Sequence, residues 1–377
     1  MSIYLDNAAT TQVCPEAADM AYKMMREDYG NPSSTHTLGR RAKAALDEAR
    51  KNVAAGLGCA PGEVYFTSCG TESDNWAIME GAYMQRRKGK HIISSMTEHD
   101  AVLRALERLQ KDGWEVTLLP PDETGAVSVE AVRAALREDT VLVSLMLVNN
   151  ETGSITDIAA IAKMLRASGS KALLHTDAVQ GFMKIPFTAR SLGADMISVS
   201  GHKIHAPKGI GALYIRKGLN LPAHILGGGQ EGGLRSGTEN LPQITAFGEA
   251  ARLAKAALPE AGERMRQLRE YCVETLTEGI PGAVVIGGGA PHILSLGIPG
   301  ARSEVMMSAL EAKEIYLSKS SACKRGKRSH VLEAMGVPDK VIDGALRISF
   351  SRFTTQEDCE IFCRELIEVK NTYFPAR

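Results

Sequence analysis

The chain has 377 residues, 44% of them hydrophobic and 23% charged, which is enough for one large globular domain and a smaller one. Its formal net charge is zero, which argues against nucleic-acid binding through bulk positive charge. No apolar run is long enough to span a bilayer, and the first residues do not resemble a signal peptide. We therefore expect a cytoplasmic protein that binds neither membranes nor nucleic acids.

The seven cysteines are odd in number and scattered, which favours reduced thiols over a disulfide framework. Cys359 and Cys363 lie one helical turn apart in an apolar segment, where core packing is a better explanation than metal ligation. We predict no metal site.

The first two predicted helices, residues 16–29 and 38–56, are separated by the turn 30–34. From residue 63 onward, predicted strands and helices alternate. The strands are 64–67, 91–94, 116–119, 141–148, 173–177, 194–197 and 211–215, and the helices between them begin at Glu72, Asp100, Ser128 and Asp157.

This alternation predicts an α/β protein with a doubly wound, mostly parallel sheet and helices on both faces. Ligands of such folds bind beyond the carboxyl ends of the strands. Polar residues cluster at those ends, namely Thr71 and Glu72, His99, Asn150, Asp177, and Ser200 to Lys203.

After residue 245 the pattern predicts a smaller α/β domain. It contains two helices, 244–257 and 260–276, and then the strands and helices 293–296, 304–310, 346–350 and 356–369. We expect a large domain over 15–255 and a small one formed by 1–14 and 256–377.

The segment Ser198-Val199-Ser200-Gly201-His202-Lys203 places a lysine directly after a buried strand. A desolvated lysine loses its proton easily and can form a Schiff base with an aldehyde such as that of pyridoxal 5′-phosphate (PLP). The competing interpretation is a solvated lysine in a polar turn.

Asp177 ends another apolar strand, 26 residues before Lys203, with Gln180 three residues later. PLP needs an acidic partner at its pyridine nitrogen, and an amide can donate to the ring phenolate. Asp177 could instead cap a helix. The spacing to Lys203, with one helix between the two strands, favours the cofactor.

Ten segments together resemble the NifS-like cysteine desulfurases, class-V aminotransferase-like PLP enzymes of fold type I, over essentially the whole length. They are 4–11, 30–36, 66–75, 97–99, 148–153, the Asp177 and Lys203 motifs, 235–238, 321–323 and 347–355. The resemblance implies a large domain with a mostly parallel, seven-stranded type of sheet and a smaller C-terminal α/β domain that carries a catalytic cysteine loop at about 318–330.

The resemblance also implies roles around the cofactor. Lys203 would hold PLP and move protons, and Asp177 would pair with the pyridine nitrogen. Gln180 and Asn150 would bind around the phenolate and the substrate. His99 would stack on the ring and act as an acid or base.

Further roles concern the phosphate and the substrate. Gly70 and Thr71, at the start of a helix, would bind the phosphate together with Ser200 and His202. Thr238 follows a glycine-rich stretch and would reach the partner subunit's phosphate in a homodimer; a plain flexible loop is the alternative. The substrate-binding set would be Arg352 as a bidentate carboxylate clamp, with Asn150, Asn7 and Ala8.

Cys323 would attack the sulfur of the PLP-bound substrate, releasing alanine and keeping a persulfide. Its polar neighbours predict an exposed segment.

Two departures from the family pattern stand out: Ser320 replaces a glycine, and a short basic run follows. That run, Lys324, Arg325, Lys327 and Arg328, would favour the thiolate and could dock an acidic sulfur acceptor, or could be merely solvated. Cys69, where the family commonly has glycine, is interpreted as a spectator.

The predicted activity is conversion of L-cysteine to L-alanine, with sulfur delivered to an acceptor in iron–sulfur cluster assembly or thiolation. A selenocysteine lyase or an aminotransferase of the same fold is the alternative, although an aminotransferase has no use for Cys323. A non-catalytic docking protein of this fold is a third hypothesis, against which the complete set of site residues counts.

Overall fold

The computed structural model describes residues 2–320 and 328–375. The strands in these residues are β1 (Ile3–Tyr4), β2 (Val64–Thr67), β3 (His91–Ser95), β4 (Glu115–Leu119), β5 (Thr140–Ser144), β6 (Leu173–Asp177), β7 (Met196–Ser200), β8 (Gly211–Ile215), β9 (Val284–Val285), β10 (Ile293–Gly297), β11 (Ile315–Tyr316), β12 (Ser318–Lys319) and β13 (Ala345–Ser349).

The helices are α1 (Pro15–Arg26), α2 (Thr37–Leu57), α3 (Gly70–Gln85), α4 (Asp100–Lys111), α5 (Val129–Ala135), α6 (Ile158–Ala167), α7 (Ala189–Leu192), α8 (Leu241–Gly279), α9 (Ser303–Glu311), α10 (His330–Ala334), α11 (Asp339–Ile342) and α12 (Gln356–Tyr373).

The large sheet has the strand order β2-β8-β7-β6-β5-β3-β4. Strand β8 runs antiparallel to β2 and β7, and the other neighbours are parallel. Every residue of β3, β5, β6, β7 and β8 is buried, as expected for strands covered by helices on both faces. The predicted mostly parallel α/β fold is confirmed.

The predicted strand 141–148 is shorter in the structure, because β5 ends at Ser144. The apolar run nevertheless continues beside β6, since the N–H groups of Leu145 and Leu147 donate to the carbonyls of His175 and Asp177. The chain turns away only at Asn149, whose side chain accepts the N–H groups of the next turn.

The prediction of two helices around Pro259 is wrong, because α8 runs unbroken through that proline. Its first half buries residues such as Phe247 in the core under the large sheet, and its second half buries residues such as Leu268 in another core. Packing at both ends outweighs the local cost of a proline inside a helix.

The second core lies around a sheet of order β12-β13-β10-β9, in which all neighbours are antiparallel. Ile3 and Leu5 join this core, and β1 pairs with β11. Helix α8 packs against the core of the large sheet up to Ala254 and against the second core from Met265 onward. This change is consistent with the expected division near residue 255, which stays a prediction.

Within residues 2–320 and 328–375, no helix is both long and apolar enough to cross a bilayer. The same ranges contain no group of three or more His, Cys, Asp or Glu side chains arranged to hold a metal ion.

We expect Pro259→Ala to stabilise the protein by about 1–3 kcal/mol, because the residue is exposed and alanine restores a helical N–H. Thermal and denaturant unfolding will measure the change. Lys255→Ala, at another exposed position of α8, should change the free energy of unfolding by a few tenths of a kcal/mol at most. An unchanged or lower stability of Pro259→Ala would contradict a continuous α8.

Candidate active site

A cavity of about 370 Å³ opens at the carboxyl ends of the central parallel strands. Ten residues predicted for the site line it: Ala8, Gly70, Thr71, His99, Asn150, Asp177, Gln180, Ser200, His202 and Lys203. Clefts of 410 and 460 Å³ lie elsewhere, but none of the residues predicted to bind PLP or substrate lines either. The cavity is therefore the candidate active site.

Adjacent strand ends place Asp177 and Lys203 in this cavity. Strands β6 and β7 are parallel, with Asp177 paired to Ser198. Strand β6 ends at Asp177, and β7 continues into a short 3-10 turn, Gly201–Lys203. The carboxylate and the amine thus reach the same edge of the sheet.

Lys203 is held by the N-terminal segment. Its Nζ donates to the carbonyls of Ala8 and Ala9 at 2.6 and 2.7 Å. Thr11 in turn donates from its N–H and its hydroxyl to the carbonyl of His202. Two carbonyl acceptors stabilise the protonated form of the lysine.

Asp177 is buried, and its Oδ1 accepts the N–H of Val179 at 2.9 Å. Burial raises the pKa of this carboxyl, while the charge of His99, the Val179 bond and the charge of Lys203 oppose that rise. Asp177 is therefore a carboxyl that lines the cavity and has positively charged side chains beside it.

Asp74 and Glu98 are buried carboxyls near Asp177 that sequence reasoning missed. Burial is the largest cause that raises the pKa of each well above its usual value, and the charge of Asp177 adds to it. Burial therefore favours the protonated form of both side chains. Asp74 adjoins Asn75 and Glu98 adjoins His99 in the motifs quoted above, which was the available signal.

Two histidines lie near these carboxyls. His99 caps α4, and its Nδ1 accepts the N–H of Ala101 at 3.1 Å. His175 lies between the hydroxyls of Ser144 and Ser198 at 2.9 and 3.0 Å. Burial lowers the pKa of His175 to about 3, so this ring is neutral.

The part of the cavity at the start of α3 suits an anion. Helix α3 begins there at Gly70, where a Cβ would lie 2.8 Å from a methyl of Val179, so a larger residue would not fit. Ser200 is 1% exposed, and its Oγ has no hydrogen-bond partner among the described residues. Free N–H groups of a helix start and an unpartnered buried hydroxyl fit a phosphate group.

His202 lies beside this part of the cavity, where its Nδ1 is 3.2 Å from the hydroxyl of Thr10. Burial, followed by the charges of Lys203 and Lys208, lowers the pKa of His202 to about 4, so the ring is a neutral hydrogen-bonding group. A carboxylate, a lysine and an anion site in one cavity fit PLP.

Three predicted site residues in the described part of the chain do not line the cavity. Asn7 donates from Nδ2 to the carbonyls of Ser349 and Tyr4, at 2.9 and 3.2 Å, and so anchors the N-terminal segment. Thr238 is exposed in its loop. Arg352 is half-buried, with its guanidinium 4.9 Å from the centre of the Phe353 ring. Cys323 lies outside the described residues.

Arg347 is a cavity residue that sequence reasoning passed over in favour of Arg352. It is 1% exposed, bonds Asp6 at 2.9 Å, and donates to the backbone carbonyl of Asn150 at 3.0 Å. Gln180 donates from Nε2 to the carbonyl of Ala8 at 2.8 Å. These bonds fix the backbone that surrounds the cavity.

The structure corrects two expectations for the residues that flank the cysteine segment. Ser320 is buried, not exposed, and its hydroxyl is 3.3 Å from that of Ser295. Arg328 forms ion pairs with Asp339 and Asp343 at 2.7 and 3.1 Å. Its charge is thus offset by neighbouring carboxylates, and Arg328 offers little attraction for an acidic acceptor.

Comparison with known proteins gives a consistent result. Residues 3–362 match the family described as Aminotransferase class-V. The chain is 42% identical to cysteine desulfurase IscS of Methanosarcina thermophila over 364 residues, which are 95% of this chain and 89% of that one.

Two solved structures are also similar. A NifS-like protein superimposes with a TM-score of 0.93 at 38% identity, covering 99% of this chain and 100% of that one. SspA, solved in complex with cysteine, gives a TM-score of 0.83 at 30% identity, covering 94% and 100%. The chain therefore belongs to the class-V aminotransferase family and, within it, to the cysteine desulfurases of the NifS and IscS type.

Proposed function

We propose that the chain converts L-cysteine to L-alanine and keeps the sulfur on Cys323 as a persulfide for a protein acceptor. As a member of this family it is a PLP-dependent cysteine desulfurase. The observation that supports the residue roles is the cavity, where a buried carboxylate, a strand-end lysine and an anion-binding helix start meet.

When bound, PLP supplies an electron sink for the bonds around the substrate Cα. Asp177 would keep the pyridine nitrogen protonated, and His99 would lie over the ring. Gln180 and Asn150 would donate to the phenolate and to the substrate. The positive charges beside Asp177 favour the ionised carboxylate that the first of these roles needs.

The phosphate would be bound in the part of the cavity at the start of α3. Ser200 offers an unpartnered hydroxyl, and Gly70 and Thr71 offer the first N–H groups of α3. His202 would donate from a neutral ring. The acidic groups and these donors therefore orient the cofactor by opposite charge preferences.

Lys203 would hold the cofactor and later move the proton at the substrate Cα. In the structure its Nζ is bonded to the carbonyls of Ala8 and Ala9. To become a nucleophile or a base, Lys203 must give up a proton and these bonds.

Arg352 would bind the substrate carboxylate, with Asn150, Asn7 and Ala8 completing the substrate-binding set. Its guanidinium lies against Phe353 and forms no ion pair with a described carboxylate. The pKa of buried Lys184 is lowered to about 7 by burial first and then by the charges of Arg352 and Lys203. A region with this much positive charge favours an incoming carboxylate.

Cys323 would take the sulfur. The Cβ–S bond of the substrate breaks, an S–S bond to Cys323 forms, and the substrate Cβ takes a proton, which gives alanine. We keep the thiolate-promoting role for Lys324, Arg325 and Lys327, which belong to the same segment. Arg328 is left out of it because of its ion pairs.

We further propose a homodimer in which Thr238 reaches the partner's PLP phosphate. Thr238 is exposed and follows a glycine-rich stretch, so it is available to another chain. Large apolar side chains are also exposed on α1, just after it, and in the loop before that stretch, namely Tyr22, Met25, Tyr29 and Leu226, the last 84% exposed. A second copy of the chain would cover such residues.

The acceptor would be a protein of iron–sulfur cluster assembly or thiolation, and the reaction would take place in the cytoplasm. A selenocysteine lyase is the second candidate, because the same residues serve both substrates.

The first experiment is turnover of L-cysteine with a thiol reductant. We expect equal amounts of alanine and sulfide from the native protein and loss of both in Cys323→Ser, because the sulfur then has no nucleophile. Cys59→Ser, at a half-buried thiol outside the cavity, is the control and should keep both products.

Alanine and sulfide from Cys323→Ser would show that the persulfide role is wrong. A native protein that binds PLP but forms neither product would point to selenocysteine as the substrate.

Asp177→Asn should lower alanine formation by about 10²-fold or more and weaken PLP binding, because the side chain keeps its bond to Val179 but loses its charge. Alanine assays and PLP titration monitored by absorbance will measure both. Asp195→Asn is the matched control, since Asp195 also accepts a backbone N–H but lies outside the cavity. Full turnover in Asp177→Asn would contradict the proposed role.

Arg352→Lys should raise the KM for L-cysteine by about tenfold or more with a smaller effect on kcat, because an ammonium cannot form two parallel bonds to a carboxylate. Steady-state kinetics of alanine formation will test this, with the PLP absorbance as a check on loading. Arg302→Lys, at an exposed position, should leave KM unchanged. An unaltered KM in Arg352→Lys would exclude Arg352 as the carboxylate clamp.

A further inference from the structure

The glycine-rich loop, residues 227–238, is fastened to the large sheet and its helices by two bidentate ion pairs. Glu231 accepts both Nη1 and Nη2 of Arg50, at 2.7 and 2.6 Å. Arg235 donates from Nε and Nη2 to the two carboxylate oxygens of Glu72, at 2.8 and 3.2 Å. Despite its composition, the loop is thus held at defined points.

Glu72 belongs to the part of the chain that forms the anion site. It lies in the first turn of α3, and its Oε2 also accepts the N–H of Ser68 at 2.7 Å, which fixes the turn before Gly70. Arg235 therefore contacts the residue that shapes the start of α3.

The pair is partly shielded from water, with side chains 23% and 12% exposed for Arg235 and Glu72. Burial by itself would raise the pKa of Glu72, but the bonds from Arg235 and Ser68 outweigh it and hold this pKa below its usual value. Glu72 is therefore a charged carboxylate.

A carboxylate in the first turn of α3 would repel an anion bound at the start of the same helix. The guanidinium of Arg235 offsets that charge. Loss of Arg235 would leave Glu72 uncompensated beside the anion site and would loosen the turn that Glu72 caps.

Arg235 also determines where Thr238 lies, since only two residues separate them. The N–H of Ser236 donates to the carbonyl of Ile225 at 2.9 Å, and the N–H of Gly237 donates to the side chain of Gln230 at 3.0 Å. These hydrogen bonds hold the segment between Arg235 and Thr238 in place, so a shift of Arg235 would also move Thr238.

We propose that the Arg235–Glu72 ion pair couples the two cofactor sites of a dimer. It would hold the anion-binding turn of its own chain and, through Thr238, the contact to the phosphate in the partner chain. This inference rests on the homodimer and the Thr238 contact of the proposed function. Both residues are positioning residues, because neither touches the reacting atoms.

The test uses mixed dimers with one competent site. One chain carries Lys203→Ala and a different affinity tag, so PLP can be fixed by borohydride reduction only on the chain that keeps Lys203. Intact-mass spectrometry then gives the fixed fraction against PLP concentration, which is a binding readout independent of turnover. The variant Arg235→Gln is introduced, in separate experiments, into the chain that keeps Lys203 and into the lysine-free chain.

We expect Arg235→Gln to raise the half-saturating PLP concentration about fivefold in whichever chain it is placed. Thr238→Ala in the lysine-free chain should have a similar effect. Combining Thr238→Ala with Arg235→Gln in that chain should add little, since both act through one contact.

Glu72→Gln removes the other partner of the same ion pair. It is a second variant that keeps the test valid if Arg235→Gln does not fold. In the competent chain it should weaken PLP binding less than Arg235→Gln, because it also removes the repelling charge. In the lysine-free chain the two variants should act alike. Arg252→Gln, which removes a bidentate Arg–Glu pair on the surface of α8, should have no effect in either chain.

An effect of Arg235→Gln in only one of the two chains, or in neither, would overturn the coupling. If Thr238→Ala has no effect in the lysine-free chain, or if the chains elute as monomers, both the proposed dimer contact and the proposed coupling are wrong. Alanine and sulfide formation by the native protein would still establish the desulfurase, so the two failures can be told apart.

Discussion

The parallel pairing of β6 with β7 is the constraint on which the rest of the cavity depends. It sets Asp177 beside Ser198 and brings Lys203 to the same edge of the sheet. Both strands are buried along their whole length, and a slip of one residue would turn Asp177 to the opposite face. The buried carboxylate in turn needs nearby positive charge, and this register supplies that of Lys203.

The N-terminal segment closes the cavity by using backbone groups. The carbonyl of Ala8 accepts from both Lys203 and Gln180. Arg347 on β13 bonds Asp6 at one end of this segment and Asn150 on the far wall. The cavity therefore lies where the core of the large sheet meets the second core, and both contribute to it.

The cavity combines acidic groups with hydrogen-bond donors. Asp177 and Asp74 line it, and the start of α3 and Ser200 offer the donors. Such an arrangement orients a molecule that has a basic nitrogen at one end and a phosphate at the other. The charge of Arg352, which helps to lower the pKa of Lys184, favours an anionic substrate.

Local patterns in the sequence determined the order of strands and helices, the mostly parallel sheet, and the placement of Asp177, Ser200 and Lys203 at strand ends. Those predictions needed only hydrophobic periodicity and the rule that ligands bind at the carboxyl edge, together with the family resemblance. The tertiary structure decided what depends on distant segments. It kept α8 continuous through Pro259, because two cores pack on it, and it raised the pKa values of Asp74 and Glu98, because desolvation arises only when the chain is folded. It also brought in the carbonyls of Ala8 and Ala9, since a backbone oxygen has no signature in the sequence.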